Sequence, residues 1–132
     1  RREFDRGGAL QRGLLRFGHA LLEQVVATTV CRSRHPVEDQ LRCWLLQAFA
    51  RAPGPELPVT QDVVAHMIGA RRASVTEALA GLEAEGAVLR ARGRIRLVDQ
   101  RRLAAAACPC SRSTSDDLEA LRRDLGAGRP AR

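Results

Sequence analysis

Between residues 57 and 98, the spacing of apolar residues changes from a helical period to the alternation of a strand. A first short helix is predicted from Thr60 to Ile68, because Thr60 is a favoured N-cap and Asp62 suits the positive end of the helix dipole. Gly69 then supplies the left-handed conformation of a turn. The buried face of this helix is expected to consist of Val63, Val64, Met67 and Ile68.

A second helix is predicted from Arg72 to Glu85, and Gly86 ends it. Its apolar residues recur at helical spacing, so one side is expected to pack on a core while the other stays outside. The inner side consists of Val75, Ala78, Leu79 and Leu82, and the outer side of Arg72, Ser74, Thr76 and Glu77.

A basic β-hairpin is predicted after this helix, with strands at 88–89 and 95–98 around a turn at Arg92 and Gly93. Upstream, residues 57–59 are short and extended, and Pro58 limits them to an edge strand at most. Helix, turn, helix and hairpin, in that order, are typical of a winged helix-turn-helix. Such a domain offers one helix to a DNA groove and a charged wing to the phosphates. The hairpin arginines are Arg90, Arg92, Arg94 and Arg96.

A long helix is predicted near the start of the chain, from Leu10 to about Cys31. One apolar stripe would suffice to pack it on its own domain, whereas two adjacent stripes favour contact with a second chain. The alternative is a single intramolecular helix with a broad core face. The predicted dimer interface consists of Leu10, Leu14, Phe17, Leu21 and Thr28, and the second stripe of Leu15, Leu22, Val25 and Val26.

The predicted fold class is mainly α. A helix from Val37 to near Arg51 follows the break at His35-Pro36, and a short Ala-rich helical turn is expected at 101–107. A further short helix is predicted at 116–125. The expected organisation is a dimerisation helix in residues 1–34, a winged helix-turn-helix with a small β-hairpin wing in 35–110, and a flexible tail in 111–132.

Composition adds charge to this picture. The chain of 132 residues has a net charge of +7, and all 22 basic residues are arginine. A GC-rich genome explains most of the choice of arginine over lysine, but the positive charge still attracts polyanions. No apolar run approaches the roughly 18 residues of a membrane span, and the first residues lack the apolar region of a secretory signal. We therefore expect a cytoplasmic protein with no membrane partner.

The start of the second helix carries the candidate DNA-reading chemistry. An arginine there, Arg71 or Arg72, can pair with guanine O6 and N7, worth roughly 1–3 kcal/mol of discrimination. Glu77 either accepts from a cytosine amino group or holds one of these arginines in an ion pair. Taken alone, the arginines are also typical of a solvated helix end. The order of the motif, the exposed Ser74 and the basic hairpin, all expected on one side, favour DNA. The predicted DNA contacts are Thr60, Gln61, Arg71, Arg72, Ser74, Val75, Glu77, Arg92 and Arg94.

These motifs resemble the DNA-binding end of the Crp/Fnr family of bacterial transcription regulators. The specific elements are an L-P-x-T-Q-x-x-x-A-x-x-I/L-G pattern at Leu57–Gly69 and an R-x-S-V-T-x-x-L run at Arg72–Leu79. With residues 8–31, which are similar to the family's dimer helix, the resemblance covers about three quarters of the chain. It implies a homodimer on palindromic double-stranded DNA, base or phosphate contacts from Arg72 and Ser74, and RNA polymerase as a candidate partner.

Two departures limit what the resemblance implies. Well-known members place Glu directly after the first recognition arginine and another Arg four residues later, where this sequence has Ala73 and Glu77. No operator sequence is therefore carried over. The family's amino-terminal β-barrel, which binds a cyclic nucleotide or another signal, has no counterpart in the sequence, so no ligand role is carried over either. We expect a fragment, a natural short form or a mis-started reading frame.

The cysteines and histidines suggest little further chemistry. Cys108 and Cys110 are one residue apart, a poor match to zinc or iron–sulfur motifs, and Cys31 and Cys43 lie on apolar helical stretches where buried free thiols are usual. We therefore expect four unreactive thiols and no cofactor or metal. The histidines are isolated and no catalytic motif is present, so an enzyme is not expected.

Two alternatives to a DNA-binding regulator remain open. One is a thiol- or metal-responsive switch that uses the same fold to bind a protein. The other is a truncated remnant that keeps the fold without the function.

Overall fold

The structure, a computed structural model, describes Phe4 and residues 7–111. The predicted tail helix at 116–125 lies outside these residues, as does all of the predicted tail except Ser111. The elements are α1 (Ala9–Arg34), α2 (Val37–Arg51), β1 (Glu56–Leu57), α3 (Gln61–Ile68), α4 (Arg72–Ala84), β2 (Val88–Ala91), β3 (Arg94–Leu97) and α5 (Gln100–Ala105).

The three strands form an antiparallel sheet in the order β1-β3-β2. Val88 pairs with Leu97, and Ala91 pairs with Arg94 at the end of the hairpin. The turn holds Gly93 at a φ of +71°, the left-handed conformation that favours glycine there. β1 is an edge strand of two residues, and the hairpin strands are longer at the turn end than the sequence predicted.

One hydrophobic core unites every element after α1, which confirms the mainly α winged helix-turn-helix. Helix α4 contributes the inner stripe that its spacing predicts, and α2 covers it from the other side. The core consists of Leu41, Leu45, Val64, Ala65, Ile68, Val75, Ala78, Leu79, Leu82, Ala87, Val88, Ile95 and Leu103.

Helix α3 begins and ends as predicted, but its buried face is different. Thr60 Oγ1 accepts a hydrogen bond from the backbone N–H of Val63 at 3.3 Å, and Gly69 ends the helix at a φ of +71°. The core takes up Val64, Ala65 and Ile68, whereas Val63 is 49% exposed and Met67 is 50% exposed. The prediction of Val63 and Met67 as buried is therefore wrong, because a helix this short buries one of its two neighbouring apolar stripes and leaves the other outside.

Helix α1 is long, as predicted, and most of its apolar face is not buried by the residues that the structure describes. Ala20 and Cys31 are its buried residues among those described. The alternative of a broad intramolecular core face is therefore not what the structure shows. The exposed large apolar residues of α1 are Leu10, Leu14, Leu15, Phe17, Leu21, Leu22, Val25, Val26 and Val30.

None of the described helices is both long enough and apolar enough to cross a bilayer.

Candidate nucleic-acid interface

A groove runs between the start of α3, the start of α4 and the β2–β3 hairpin. Its walls come from residues 59–62, from Arg72 and from residues 90–95. The helix-turn-helix and the wing therefore meet on one surface. Five of the nine predicted DNA contacts line this groove: Thr60, Gln61, Arg72, Arg92 and Arg94.

Arg72, the first residue of α4, forms an ion pair across the helix-turn-helix. Its Nη1 lies 3.3 Å from Oδ2 of Asp62, and the two side chains are 68% and 62% exposed. Pairs this exposed contribute less than about 1 kcal/mol, so a nucleic-acid group can replace Asp62 at little cost. The sequence offered Glu77 as an ion-pair partner of Arg72, but the structure gives that role to Asp62. Glu77 is exposed and makes no ion pair with the described residues.

A hydrogen bond between side chains fixes the two helices of the motif. The Thr76 hydroxyl on α4 donates to Gln61 Oε1 on α3 at 2.7 Å. The same hydroxyl lies 2.9 Å from the carbonyl oxygen of Arg72, one turn back along α4. Gln61 therefore has a structural partner as well as a place in the groove, and its amide nitrogen remains available to a ligand.

The wing arginines differ in how they are held. Arg90 is tied to Glu83 on α4, because its backbone N–H donates to Oε1 at 2.9 Å and its Nε donates to Oε2 at 2.7 Å. The backbone hydrogen bond, followed by the side-chain one, lowers the pKa of Glu83. Arg94 Nη1 lies 3.4 Å from Oε2 of Glu56 on β1. Arg92, at the hairpin turn, is exposed and has no ion-pair partner among the described residues.

The remaining predicted contacts lie outside the groove walls. Arg71 precedes α4 and is exposed, while Ser74 is half-buried one turn into the helix. Val75 is fully buried in the core, so its predicted contact with DNA is wrong. Its position on the inner stripe of α4 excludes a side-chain contact with any outside partner. The sequence did not indicate Asp62 as a member of the site; it lies in the first turn of α3, two residues after the N-cap Thr60.

A second cluster of chemically active side chains lies where α1, α2 and the segment after α5 meet. Cys43 Sγ is 3.1 Å and Cys31 Sγ is 3.7 Å from Cys108 Sγ, and all four cysteines are free thiols. Cys110 Sγ lies 3.8 Å from Nε2 of His35. The sequence did not reveal this convergence because the paired thiols are 65 and 77 residues apart along the chain.

The pKa values of the buried thiols in this cluster are shifted in opposite directions. Burial raises the pKa of Cys31 to about 12 and raises that of Cys43 as well. Burial also acts to raise the pKa of Cys108, but hydrogen bonds from Cys43 and Cys31 outweigh it and lower that pKa overall. Cys108 therefore lies at the centre of the cluster, in contact with both other buried thiols.

Comparison with known proteins supports the fold. Residues 40–106, about half of the chain, match the family described as the Crp-like helix-turn-helix domain. The fold is similar to the crystal structure of a protein from Eubacterium rectale ATCC 33656 that is described as a transcriptional regulator of the Crp/Fnr family. The TM-score is 0.58 and the sequence identity is 24%. The match covers 67% of this chain and 39% of that protein, so this chain spans about two fifths of its length. A search of curated proteins found no match.

Proposed function

This chain belongs to the family of Crp-like helix-turn-helix domains, and on that premise we propose that it is a DNA-binding transcription regulator that recognises a palindromic operator as a homodimer. The observation that carries the proposal is the groove, where α3, the first residue of α4 and the wing meet and four arginines lie on one surface. Duplex DNA supplies the two kinds of group that such a surface suits, base edges and phosphates.

Base recognition belongs to the start of α4. Arg72 exchanges Asp62 for the O6 and N7 atoms of a guanine, while Ser74 and Glu77 contact neighbouring base edges or phosphates. Arg71 lies beside the helix N-terminus, where partial positive charge and unpaired N–H groups favour a phosphate. Thr60 and Gln61 lie at the N-terminus of α3, which favours a phosphate for the same reason.

The wing supplies contacts that do not depend on sequence. Arg92 at the hairpin turn is exposed, and the ion pair of Arg94 with Glu56 is an exposed one. Both arginines therefore meet phosphate oxygens with little loss of other interactions. Arg90 contributes to the rigidity of the wing and not to binding, because Glu83 already satisfies it.

Helix α1 supplies the dimer contact. Nine large apolar side chains on this one helix are between 42% and 67% exposed. Full burial of such a side chain is worth roughly 1.5–3 kcal/mol, so even partial burial against a second α1 favours association. Thr28 departs from the rest of the predicted interface, because it is half-buried and lines a cleft of its own chain with Cys31 and Trp44. A two-fold dimer presents two copies of α4, which is why we propose a palindromic site.

The test begins with selection of bound sequences from random duplex DNA by the full chain. With the selected site, Arg72→Ala is expected to weaken specific binding by roughly 1–3 kcal/mol, about 5- to 160-fold, and to change non-specific binding far less. Arg94→Ala is expected to weaken both alike. Arg101→Ala, which removes the same charge from α5 outside the groove, is the matched control. Equal losses for Arg72→Ala and Arg94→Ala, or no enriched sequence, would contradict the proposal.

A further inference from the structure

We propose that Cys31, Cys43, Cys108 and Cys110 bind one divalent metal ion of the zinc class. Three of these sulfurs already meet at one point, since the Sγ atoms of Cys31, Cys43 and Cys108 all lie within 4.8 Å of one another. A zinc ion with Zn–S bonds of about 2.3 Å holds its ligand sulfurs about 3.8 Å apart in a tetrahedron. The Cys31–Cys108 distance of 3.7 Å matches this value, and the Cys43–Cys108 distance of 3.1 Å needs only a small side-chain rotation.

Cys110 is the proposed fourth ligand, and it adjoins the group of three through Cys108. It is half-buried, packs against the three buried cysteines, and belongs to a second convergent group in which Cys108, Cys110 and His35 have their ligand atoms within 4.8 Å of one another. His35 supports Cys110 from outside. Its Nε2 lies 3.8 Å from the Cys110 sulfur, and its Nδ1 lies 3.6 Å from a carboxylate oxygen of Asp39. Such a carboxylate–histidine pair orients the ring toward a ligand sulfur, which makes His35 a positioning residue.

The geometry favours a single ion over the other chemistry that thiols support. A four-iron cluster binds each cysteine at a different iron, and a two-iron cluster binds two cysteines at each iron. Neither arrangement brings three ligand sulfurs as close together as Cys31, Cys43 and Cys108 lie here. A disulfide between Cys43 and Cys108 would use two sulfurs and leave the buried Cys31 thiol without its partner. A soft d10 ion uses all the sulfurs at once and prefers thiolate ligands.

The site lies at the junction between the proposed dimer helix and the DNA-binding domain. Cys31 belongs to the last turn of α1, Cys43 to the middle of α2, and Cys108 to the segment after α5. The neighbouring Arg32 of α1 donates a hydrogen bond to the carbonyl of Met67 near the end of α3. A bound ion therefore fixes α1 relative to the helix-turn-helix, with Arg32 as a second attachment.

Binding is tested with the full, reduced chain in the absence of DNA, so that the result does not depend on the function proposed above. Metal analysis after equilibration with Zn²⁺ is expected to give one equivalent per chain. Titration with Co²⁺ is expected to give intense visible bands of a tetrahedral site and a near-ultraviolet charge-transfer band whose intensity corresponds to four thiolates. Trp44, the only tryptophan in the chain, lines the same cleft, so Co²⁺ is also expected to quench its fluorescence.

Variants assign the ligands. Cys110→Ser changes a half-buried residue without opening the core, so it is expected to fold, to lower Co²⁺ affinity at least tenfold and to reduce the charge-transfer intensity from four thiolates to three. Loss of binding is expected for Cys43→Ser, with circular dichroism as the check of folding. His35→Ala is expected to keep four thiolates and to lower affinity roughly 10- to 100-fold. His66→Ala, an exposed histidine on α3, is the matched control with no effect.

Three results would each overturn the proposal. One is a reduced chain with four titratable thiols that binds neither Zn²⁺ nor Co²⁺. Another is a Co²⁺ spectrum from Cys110→Ser that equals that of the unsubstituted chain. The third is a purified chain that contains iron and inorganic sulfide, or a Cys43–Cys108 disulfide, in place of one ion.

Discussion

Glu83 binds one of the four wing arginines, Arg90, and thereby makes it part of the fold and not of the exposed basic surface. In sequence, the arginines at 90, 92, 94 and 96 form one uniform alternation. The hairpin register places Arg90 opposite Ile95, on the side of the sheet that faces α4, and there Glu83 receives both its backbone N–H and its guanidinium. Alternation alone predicts a basic strand face, but it does not predict which arginine meets an acid from an earlier helix.

The Glu83–Arg90 contact is expected to make stability depend on pH. The pKa of Glu83 lies below its ordinary value of 4.5 in the folded chain, so the unfolded chain binds a proton more readily. The stabilisation is therefore complete above that ordinary value and is lost as pH falls through the lowered folded value. Glu83→Gln is expected to cost about 1–2 kcal/mol at pH 7, with the difference from the unsubstituted chain vanishing in acid.

Urea unfolding at pH 7 and at successively lower pH measures this difference. Glu77→Gln serves as the control, because Glu77 is exposed on the same helix and has no ion pair with the described residues. A Glu83→Gln variant whose deficit stays constant from neutral to acid pH would show that the carboxylate charge does not stabilise the wing.

At the scale of elements, Arg42 joins α2 to the end of α4. Its side chain is 2% exposed, and Nη2 lies 2.7 Å from Oε1 of Glu38 and 2.6 Å from Oε1 of Glu85. Glu38 stands one turn before Arg42 on α2, whereas Glu85 is the C-cap of α4. Nη1 of Arg42 is buried and has no hydrogen-bond partner in the part of the chain that the structure describes. The buried charge therefore depends on two carboxylates that are themselves nearly half exposed.

This arrangement predicts that removing Glu85 costs more stability than replacing Arg42 with an apolar side chain. Glu85→Ala leaves a buried guanidinium with one carboxylate and is expected to lower the free energy of unfolding by about 3 kcal/mol. Arg42→Met removes the buried charge, keeps much of the volume and leaves two carboxylates that water can reach, so a change of less than about 1.5 kcal/mol is expected. Chemical denaturation compares the two, with Glu77→Ala as the control. A larger loss for Arg42→Met than for Glu85→Ala would contradict this account.

The predictability of the elements differs from that of their contacts. Caps and glycines determine where α3 and α4 begin and end, and these signals are local: Thr60, Gly69 and Gly86 all act as the sequence predicts. Which stripe of α3 is buried depends on where α2 and α4 lie, and Val63–Met67 and Val64–Ile68 are equally good stripes in sequence. The shape of the groove could not be predicted from the sequence either, because it depends on how the wing packs against the helices and not on any one motif.

The exposed face of α1 predicts a test of dimerisation at this scale. Leu14 is 49% exposed within the stripe that contains Leu10, Phe17 and Leu21. Leu14→Glu places a charge in the proposed seam and is expected to convert a dimer to a monomer in analytical ultracentrifugation. Arg16→Glu introduces the same charge on the polar side of α1, between Arg12 and Glu23, and is expected to leave the dimer intact. Unchanged sedimentation of Leu14→Glu would exclude the seam.

For the whole molecule, net charge and dimerisation both contribute to the proposed binding of DNA. The chain carries a net charge of +7, which speeds encounter with any polyanion but does not by itself place a phosphate. The groove arginines place a phosphate at a defined position. A dimer would make each phosphate contact twice, because both copies carry the same groove arginines. The convergence of Cys31, Cys43 and Cys108 from distant parts of the chain is likewise a property of the whole fold, which explains why residue spacing did not predict it.

The salt dependence of DNA binding tests phosphate contact and dimerisation in one measurement. The logarithm of the binding constant falls with the logarithm of salt concentration by about 0.9 for each phosphate contact. If Arg92 contacts one phosphate in each copy of a dimer, Arg92→Ala is expected to reduce the slope by about 1.8, whereas a bound monomer would lose about 0.9. Arg101→Ala, outside the groove, is expected to leave the slope unchanged. A slope that Arg92→Ala does not alter would exclude Arg92 as a phosphate contact, and a loss near 0.9 would mean that one chain binds alone.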